Sequence, residues 1–286
     1  MGFFASVNGE ITPAEQARVS VLDNGFAFGD GVYETLRTYG GRPFHLDRHL
    51  ARLRDSARML AIDVPPPDGA LAQGLEALLE AADNPESYIR IMVTRGVGEV
   101  SYRFERIKGP TIVMLARAYE PLPERAYAEG VAVILSSVRR NHPRAVNPAM
   151  KSCNLINNIL AMREAQAKGA LEPILLNELG EVAEGAGSNV FLVRGGRLLT
   201  PPLDAGILPG VTRGLVLELA RSLALPSLEE PVAVKDLLAA DEVFLTSTLK
   251  ELAPVAAIDG RKVGSGRPGS MTLALLDAYR EYARRA

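Results

Sequence analysis

Short runs in which apolar and polar positions alternate are interleaved with longer runs in which apolar residues recur at helical spacing. Residues 3–7 read as a strand, Asn8-Gly9 as a tight turn and Ile11 as the start of a return, together a hairpin. Residues 32–39 are rich in β-branched and aromatic side chains. Gly40-Gly41, able to take positive φ, then leads into a returning segment over 42–46, a second hairpin. The period then changes. After Asp47, a candidate N-cap, Leu50, Leu53, Ala57, Leu60 and Ala61 recur at helical spacing and stop near Val64-Pro65-Pro66-Pro67. A further helix is expected over 70–82, and strands over 88–94 and 111–119. Glu120-Pro121-Leu122-Pro123-Glu124 has the proline content of a stiff connector. Beyond it, strands near 131–138, 173–177, 190–193 and 242–246 alternate with helices near 155–167 and 212–223. The expectation is a small N-terminal domain over 1–119, a linker over 120–126 and a larger C-terminal domain over 127–286, both mixing α and β.

A chain of 286 residues exceeds one average domain, which agrees with two lobes and a cleft. With 47% hydrophobic and 23% charged residues and no low-complexity block, it has the balance of a folded, soluble protein. Lys and Arg number 32 against 34 Asp and Glu, so no overall positive field draws in nucleic acid or an anionic membrane, and the expected partner is a small molecule. The single cysteine, Cys153, forms no internal disulfide and fits a reducing compartment. No basic segment followed by an apolar run opens the chain, and no stretch of about 18 or more apolar residues occurs. Cytoplasm is the expected location.

Candidate chemistry lies in separated segments. Pro148-Ala149-Met150-Lys151-Ser152-Cys153-Asn154 sets one lysine in mostly uncharged surroundings. Most lysines are solvated, but a desolvated one sheds its proton more easily and attacks an aldehyde to form an imine, the usual attachment of pyridoxal phosphate. Glu181-Val182-Ala183-Glu184-Gly185-Ala186-Gly187-Ser188-Asn189 reads as a glycine-rich turn. It is either an ordinary polar turn or a place where backbone approaches a flat ring and Glu184 keeps a pyridine nitrogen protonated. Leu208-Pro209-Gly210-Val211-Thr212-Arg213 precedes a helical pattern, and a helix N-terminus suits a phosphate, although Thr212 also serves as a plain N-cap. Thr246-Ser247-Thr248 ends an apolar strand and offers further hydroxyls. Arg52, among Arg48, Arg54 and Arg58, is either a solvated helix residue or a bidentate partner for an anion. His45, His49 and His142 lack metal-ligand spacing, so no metal is expected and they read as structural or solvated.

Taken in order, from Phe26-Ala27-Phe28-Gly29-Asp30-Gly31-Val32-Tyr33-Glu34 to Thr246-Ser247-Thr248, these segments resemble the fold-type IV, pyridoxal-phosphate-dependent aminotransferases. That class includes the branched-chain aminotransferases, D-amino-acid aminotransferases and aminodeoxychorismate lyases. The resemblance implies an α+β fold with a smaller N-terminal α/β lobe and a larger, β-barrel-like C-terminal lobe with helices. It assigns Lys151 to the Schiff base and Glu184 to the pyridine nitrogen. Arg52, Val211, Thr212, Ser247 and Thr248 go to the phosphate, with Ser188 and Asn189 counted among the cofactor-binding residues. It also implies a homodimer with its active site between the lobes. Ser87-Tyr88-Ile89-Arg90 is similar to the Tyr-x-Arg element of the branched-chain enzymes, pointing to branched-chain L-amino acids with a 2-oxo acid as acceptor in a ping-pong reaction. Tyr33, Arg90 and Arg95 are the substrate-binding candidates. Thr94-Arg95-Gly96-Val97-Gly98 departs from the loop usual in that subgroup, and residues 99–104 lack the histidine of the D-amino-acid enzymes' Arg-x-His pair. Lyase activity, D-amino-acid or amine transamination, and a noncatalytic cofactor-binding protein are the alternatives.

Overall fold

The computed structural model describes residues 1–64 and 66–285. Pro65, in the proline run expected to end a helix, and Ala286, in the expected C-terminal domain, lie outside the described residues. The chain forms two compact units: Met1–Glu120 together with Met150–Asn154, and Pro121–Ala149 together with Leu155–Arg285.

In the first unit β1 (Phe4–Val7) and β2 (Glu10–Pro13) make the opening hairpin. A capped turn α1 (Asn24–Phe28) precedes β3 (Gly31–Tyr39), which reverses through Gly40 and Gly41 into the two-residue β4 (Arg42–Pro43). Helices α2 (Leu46–Met59) and α3 (Asp68–Ala82) follow, then β5 (Ser87–Thr94) and β6 (Thr111–Ala118). The strands order as β2-β1-β6-β5-β3-β4, antiparallel at every pairing. Along β5 burial alternates with period two. Ile89, Ile91 and Val93 are fully buried in one cluster with Leu50, Leu53, Leu71, Leu75 and Leu78 of the helices, which leaves Tyr88, Arg90, Met92 and Thr94 on the other face. Asp47 is not the N-cap of α2. The helix starts two residues earlier than such a cap would set it, with His45 as cap in the left-handed region at φ 50°, and Asp47 sits in the first turn, where its charge suits the positive end of the helix dipole.

One edge of β3 is shared. β4 covers its C-terminal end, and Met150–Asn154 covers its N-terminal end: Tyr33 N donates to Lys151 O at 2.9 Å, Cys153 N donates to Gly31 O at 2.8 Å, and Val32 lies opposite Ser152. Gly31 permits this approach, since a Cβ there would meet Val93 O at 2.9 Å and Cys153 Sγ at 3.4 Å.

The second unit runs α4 (Glu124–Glu129), β7 (Val131–Arg139), α5 (Ile156–Ala167), β8 (Glu172–Leu176), β9 (Val182–Gly185), β10 (Asn189–Arg194) and β11 (Arg197–Thr200). It continues with α6 (Val211–Ser222), β12 (Ser227–Glu229), α7 (Val234–Leu238), β13 (Glu242–Ser247), β14 (Glu251–Ile258), β15 (Arg261–Lys262) and α8 (Ser270–Arg285). Strands β10-β13-β14-β7-β8-β9 follow one another, and β9 pairs back onto β10 at Glu184 and Asn189, closing a six-stranded barrel. Its core gathers Val133, Ile174, Val182, Val190, Leu192, Val243, Leu245, Ala253 and Val255. The segment that reads in sequence as one glycine-rich turn is therefore a hairpin: Glu184 stands on β9, Asn189 opens β10, and only residues 186–188 connect them. Helix α4 begins at Glu124, within the segment expected to be linker.

Candidate active site

Tyr33 and Glu34 are neighbours on β3 and so project to opposite faces of the first unit's sheet. On the Tyr33 side, the register sets Tyr33 opposite Met92 and Thr35 opposite Arg90, which makes Tyr33 and Arg90 diagonal neighbours. The Arg90 guanidinium carbon lies 4.0 Å from the Tyr33 ring centroid and Lys151 Nζ 4.6 Å from the same centroid. The lysine's backbone is fixed on both sides, its N–H donating to Ser56 Oγ of α2 at 3.1 Å and its carbonyl accepting from Tyr33. Burial pushes the Tyr33 phenol above its ordinary pKa, against the opposing pull of the Arg90 charge, so the ring enters the site neutral. The Cys153 thiol is raised for the same first reason.

On the helix side, Glu34 is fully buried and accepts from Arg52 Nε at 2.7 Å, Arg52 Nη2 at 2.8 Å and His49 Nδ1 at 2.7 Å. Burial by itself would raise the carboxyl pKa. The Arg52 charge and the hydrogen bonds from Arg52 and His49 outweigh it and bring the value down to about 2. Burial lowers the His49 pKa despite its bond to Glu34, so a neutral ring with its proton on Nδ1 donates to the carboxylate. Arg95 is engaged elsewhere in this unit. Its guanidinium donates to both Asp30 oxygens and to the carbonyls of Leu60 and Ala61, and it lies over the Phe104 ring.

In the second unit the hairpin β9–β10 brings Glu184 and Asn189 opposite each other at the barrel seam. Glu184 Oε1 accepts from Arg140 Nε at 2.7 Å. Its Oε2 accepts from Leu208 N at 2.9 Å and from Asn189 Nδ2 at 3.3 Å. Arg140 also donates to Asn157 and Asn158 at the start of α5. Asn189 Nδ2 donates in turn to Leu208 O at 3.0 Å, and a Cβ on Gly210 would stand 2.0 Å from Asn189 Oδ1. Glycine at 210 thus lets the start of α6 approach Asn189. Helix α6 opens at Val211 with no side-chain cap. The buried hydroxyls of Thr212, Ser188 and Thr246 have no hydrogen-bond partner among the described residues. Thr246 lies opposite Asn189 in the β10–β13 register, and Ser247 and Thr248 follow it. Uncapped helix-terminal amides with three orphaned buried hydroxyls nearby in sequence or register are a donor set that suits a phosphate ester. These residues fit pyridoxal phosphate.

The fold and these donor groups are those of a class of enzyme that the similarities identify. Residues 31–258 match the family described as amino-transferase class IV. The chain is 38% identical over 275 residues to a putative branched-chain-amino-acid aminotransferase of Methanocaldococcus jannaschii, covering 96% of this chain and 94% of that protein. It is 35% identical over 265 residues to a D-alanine aminotransferase of Bacillus licheniformis, covering 93% and 92%. Its fold superposes with a TM-score of 0.87 on the branched-chain amino acid aminotransferase of Thermobaculum terrenum, solved in its PLP form, at 31% identity over 99% of this chain and 94% of that one. The chain belongs to the class IV aminotransferases, pyridoxal-phosphate-dependent transaminases that act on amino acids and 2-oxo acids.

Among the residues singled out from sequence, the first unit groups Tyr33, Arg90 and Lys151, and places Arg52 on the other side of the sheet against Glu34. The second unit groups Glu184, Asn189 and the α6 start, with Ser188 in the connecting turn and Ser247 and Thr248 after β13. The sequence alone assigns no role to Arg140, which bonds Glu184, or to Glu34. It also leaves His49, which is fully buried, as a structural or solvated group. For Glu34 and His49 a signal exists: three polar residues, His49, Arg52 and Ser56, share a helical spacing with the apolar stripe of α2. Nothing local marks Arg140. Among the described residues no group of three or more His, Cys, Asp or Glu is arranged to hold a metal ion, and no helix is long and apolar enough to cross a membrane.

Proposed function

We propose that this transaminase moves the amino group of branched-chain L-amino acids to a 2-oxo acid, with Lys151 as the amine that holds pyridoxal phosphate and as the base. When bound, the cofactor supplies an aldehyde that captures amines and a pyridine ring that accepts the electron pair left when a proton leaves the substrate's α-carbon. Lys151, its backbone fixed by hydrogen bonds to Ser56 and Tyr33, would take up that proton at Nζ and hand it back. Glu184 holds the pyridine nitrogen's proton, and Arg140 keeps the carboxylate in place. Val211 and Thr212 at the α6 start, Ser247 and Thr248 would hold the phosphate, with Arg52, its guanidinium anchored by Glu34, as a further cation. Ser188 and Asn189 shape the ring's seat.

The observation that carries this reading is the shared aromatic platform: an amine and a guanidinium against one neutral tyrosine ring, the first able to attack an aldehyde and the second to hold the substrate's carboxylate. Arg95, with its guanidinium engaged by Asp30 and by two carbonyls, is proposed to brace α1 and α2 rather than touch substrate. Similarity to the M. jannaschii relative supports branched-chain substrates, and similarity to the B. licheniformis D-alanine enzyme supports D-amino acids as a second reading. Incubating the cofactor-loaded protein with L-leucine alone should yield 4-methyl-2-oxopentanoate in a single half-reaction, and Lys151→Ala should abolish it. Product from D-alanine but not L-leucine moves the assignment to the second reading. Pyruvate release from aminodeoxychorismate, with neither amino acid active, replaces transamination with elimination. Location in the cytoplasm and a homodimer are parts of the same proposal. The dimer is supported by exposed Phe26, Tyr102 and Phe104 in the first unit, with the Phe28 and Tyr102 rings 5.4 Å apart.

A further inference from the structure

Outside the residues so far assigned, the second unit contains a buried ion pair with an unusual set of attachments. Glu172 on β8 is fully buried. Its Oε1 accepts from Gly187 N at 2.5 Å, and a Cβ at Gly185 would stand 2.7 Å from the same oxygen, so the connection from β9 to β10 lies directly on this carboxylate. Its Oε2 lies 2.9 Å from Lys250 Nζ and makes no hydrogen bond among the described residues, so the ammonium is what answers its charge. Lys250 belongs to the turn between β13 and β14. Its backbone N–H is 3.2 Å from both the carbonyl and the Oγ of Ser247, and its carbonyl accepts from Tyr127 at 3.2 Å. One lysine therefore fastens the Ser247–Thr248 turn with its main chain and the Glu184–Asn189 hairpin, through Glu172, with its side chain.

We propose that Lys250 is a positioning residue for pyridoxal phosphate, acting through Glu172 to hold the hairpin of Glu184 and the turn of Ser247 and Thr248 at a fixed separation. The inference rests on the reading that those residues take the pyridine nitrogen and the phosphate. Its physical content is that two loops contacting opposite ends of one rigid ligand must be spaced before the ligand arrives, or ordering them weakens binding. A lysine serves here because its long stem carries a charge from a partly buried turn to a fully buried carboxylate against the β9–β10 connection while its backbone remains part of the turn.

The test compares Lys250→Met, Lys250→Arg and the double variant Lys250→Met/Glu172→Gln with wild type, all as full-length holoenzyme. Cofactor release on dilution, followed by visible absorption, gives the dissociation constant, and a thermal midpoint is taken alongside. Lys250→Met leaves a buried carboxylate without its counter-charge and is expected to lose both stability and affinity. The double variant removes both charges and is expected to regain the wild-type midpoint, while its dissociation constant stays at least tenfold above wild type. Lys250→Arg is expected to restore affinity to within about threefold. Wild-type affinity in the double variant overturns the proposal, as does an affinity loss that recovers in step with the midpoint. Borohydride reduction and peptide mapping of the wild type test the underlying reading separately: cofactor on a lysine other than Lys151 overturns both, whereas cofactor on Lys151 with unchanged affinity in the double variant overturns the tie alone.

Discussion

Glu34 shows how one buried carboxylate organises its surroundings. Its pKa of about 2 lies below the ordinary 4.5, so the group contributes stability that is present above pH 4.5 and is lost as pH falls toward 2. A shift of that size corresponds to about 3 kcal/mol. His49 acts in the same direction, because a ring buried neutral with a lowered pKa must be charged on acidification. Urea unfolding of the wild type should therefore show a loss of about 3 kcal/mol across this window beyond that of a Glu34→Gln variant, which should itself be less stable at pH 7 because Arg52 loses its charged partner. Parallel pH profiles of the two proteins would count against this account. Arg140 invites a second substitution. Arg140→Met takes one hydrogen bond from Glu184 while leaving those of Leu208 and Asn189, so kcat should fall, by tenfold or more for a charged hydrogen bond, with little change in KM for the amino donor. At this scale the sequence marks candidates where residue type is rare for its setting, as with Lys151 among uncharged neighbours and Glu184 before two glycines. It hides partners such as Arg140 and Glu172, whose relation to Glu184 and Gly187 arises only when distant strands pair.

Elements differ in how clearly their patterns speak. The two N-terminal hairpins and helices α2, α3 and α6 are readable because turn glycines or a helical stripe of apolar residues lie within each segment. β9 reads as a turn because four residues ending in Gly185 carry no alternation: all are buried, as a barrel seam requires. β14 and α8 escape a pattern reading, the first an almost wholly buried strand interrupted by Pro254. Glycines supply a test of helix roles. Gly74 in α3 has open space where a Cβ would go, so Gly74→Ala should stabilise by about 0.5–1 kcal/mol, raising the thermal midpoint a few degrees. Gly210→Ala, by contrast, drives a methyl onto Asn189 Oδ1 and should weaken cofactor retention at least tenfold. Equal behaviour of the two variants in calorimetry and cofactor titration would contradict the distinction.

For the whole molecule, a two-chain particle is the expectation that composition could not supply and that the first unit's exposed apolar residues support. Light scattering should give twice the 30.7 kDa chain mass, and Phe26→Glu with Tyr102→Glu should halve it. A wild type already at single-chain mass removes the dimer from the proposal. The shared edge of β3 carries a further consequence, one of timing. The ribosome delivers residues 1–120 well before residues 150–154, so the nascent first unit waits with the N-terminal edge of β3 unpaired, a row of backbone donors and acceptors open to any passing strand. Until the lysine's own segment emerges and zips onto Gly31 and Tyr33, the half-made protein is sticky, and the residue proposed to perform the chemistry is also one whose arrival seals the sheet.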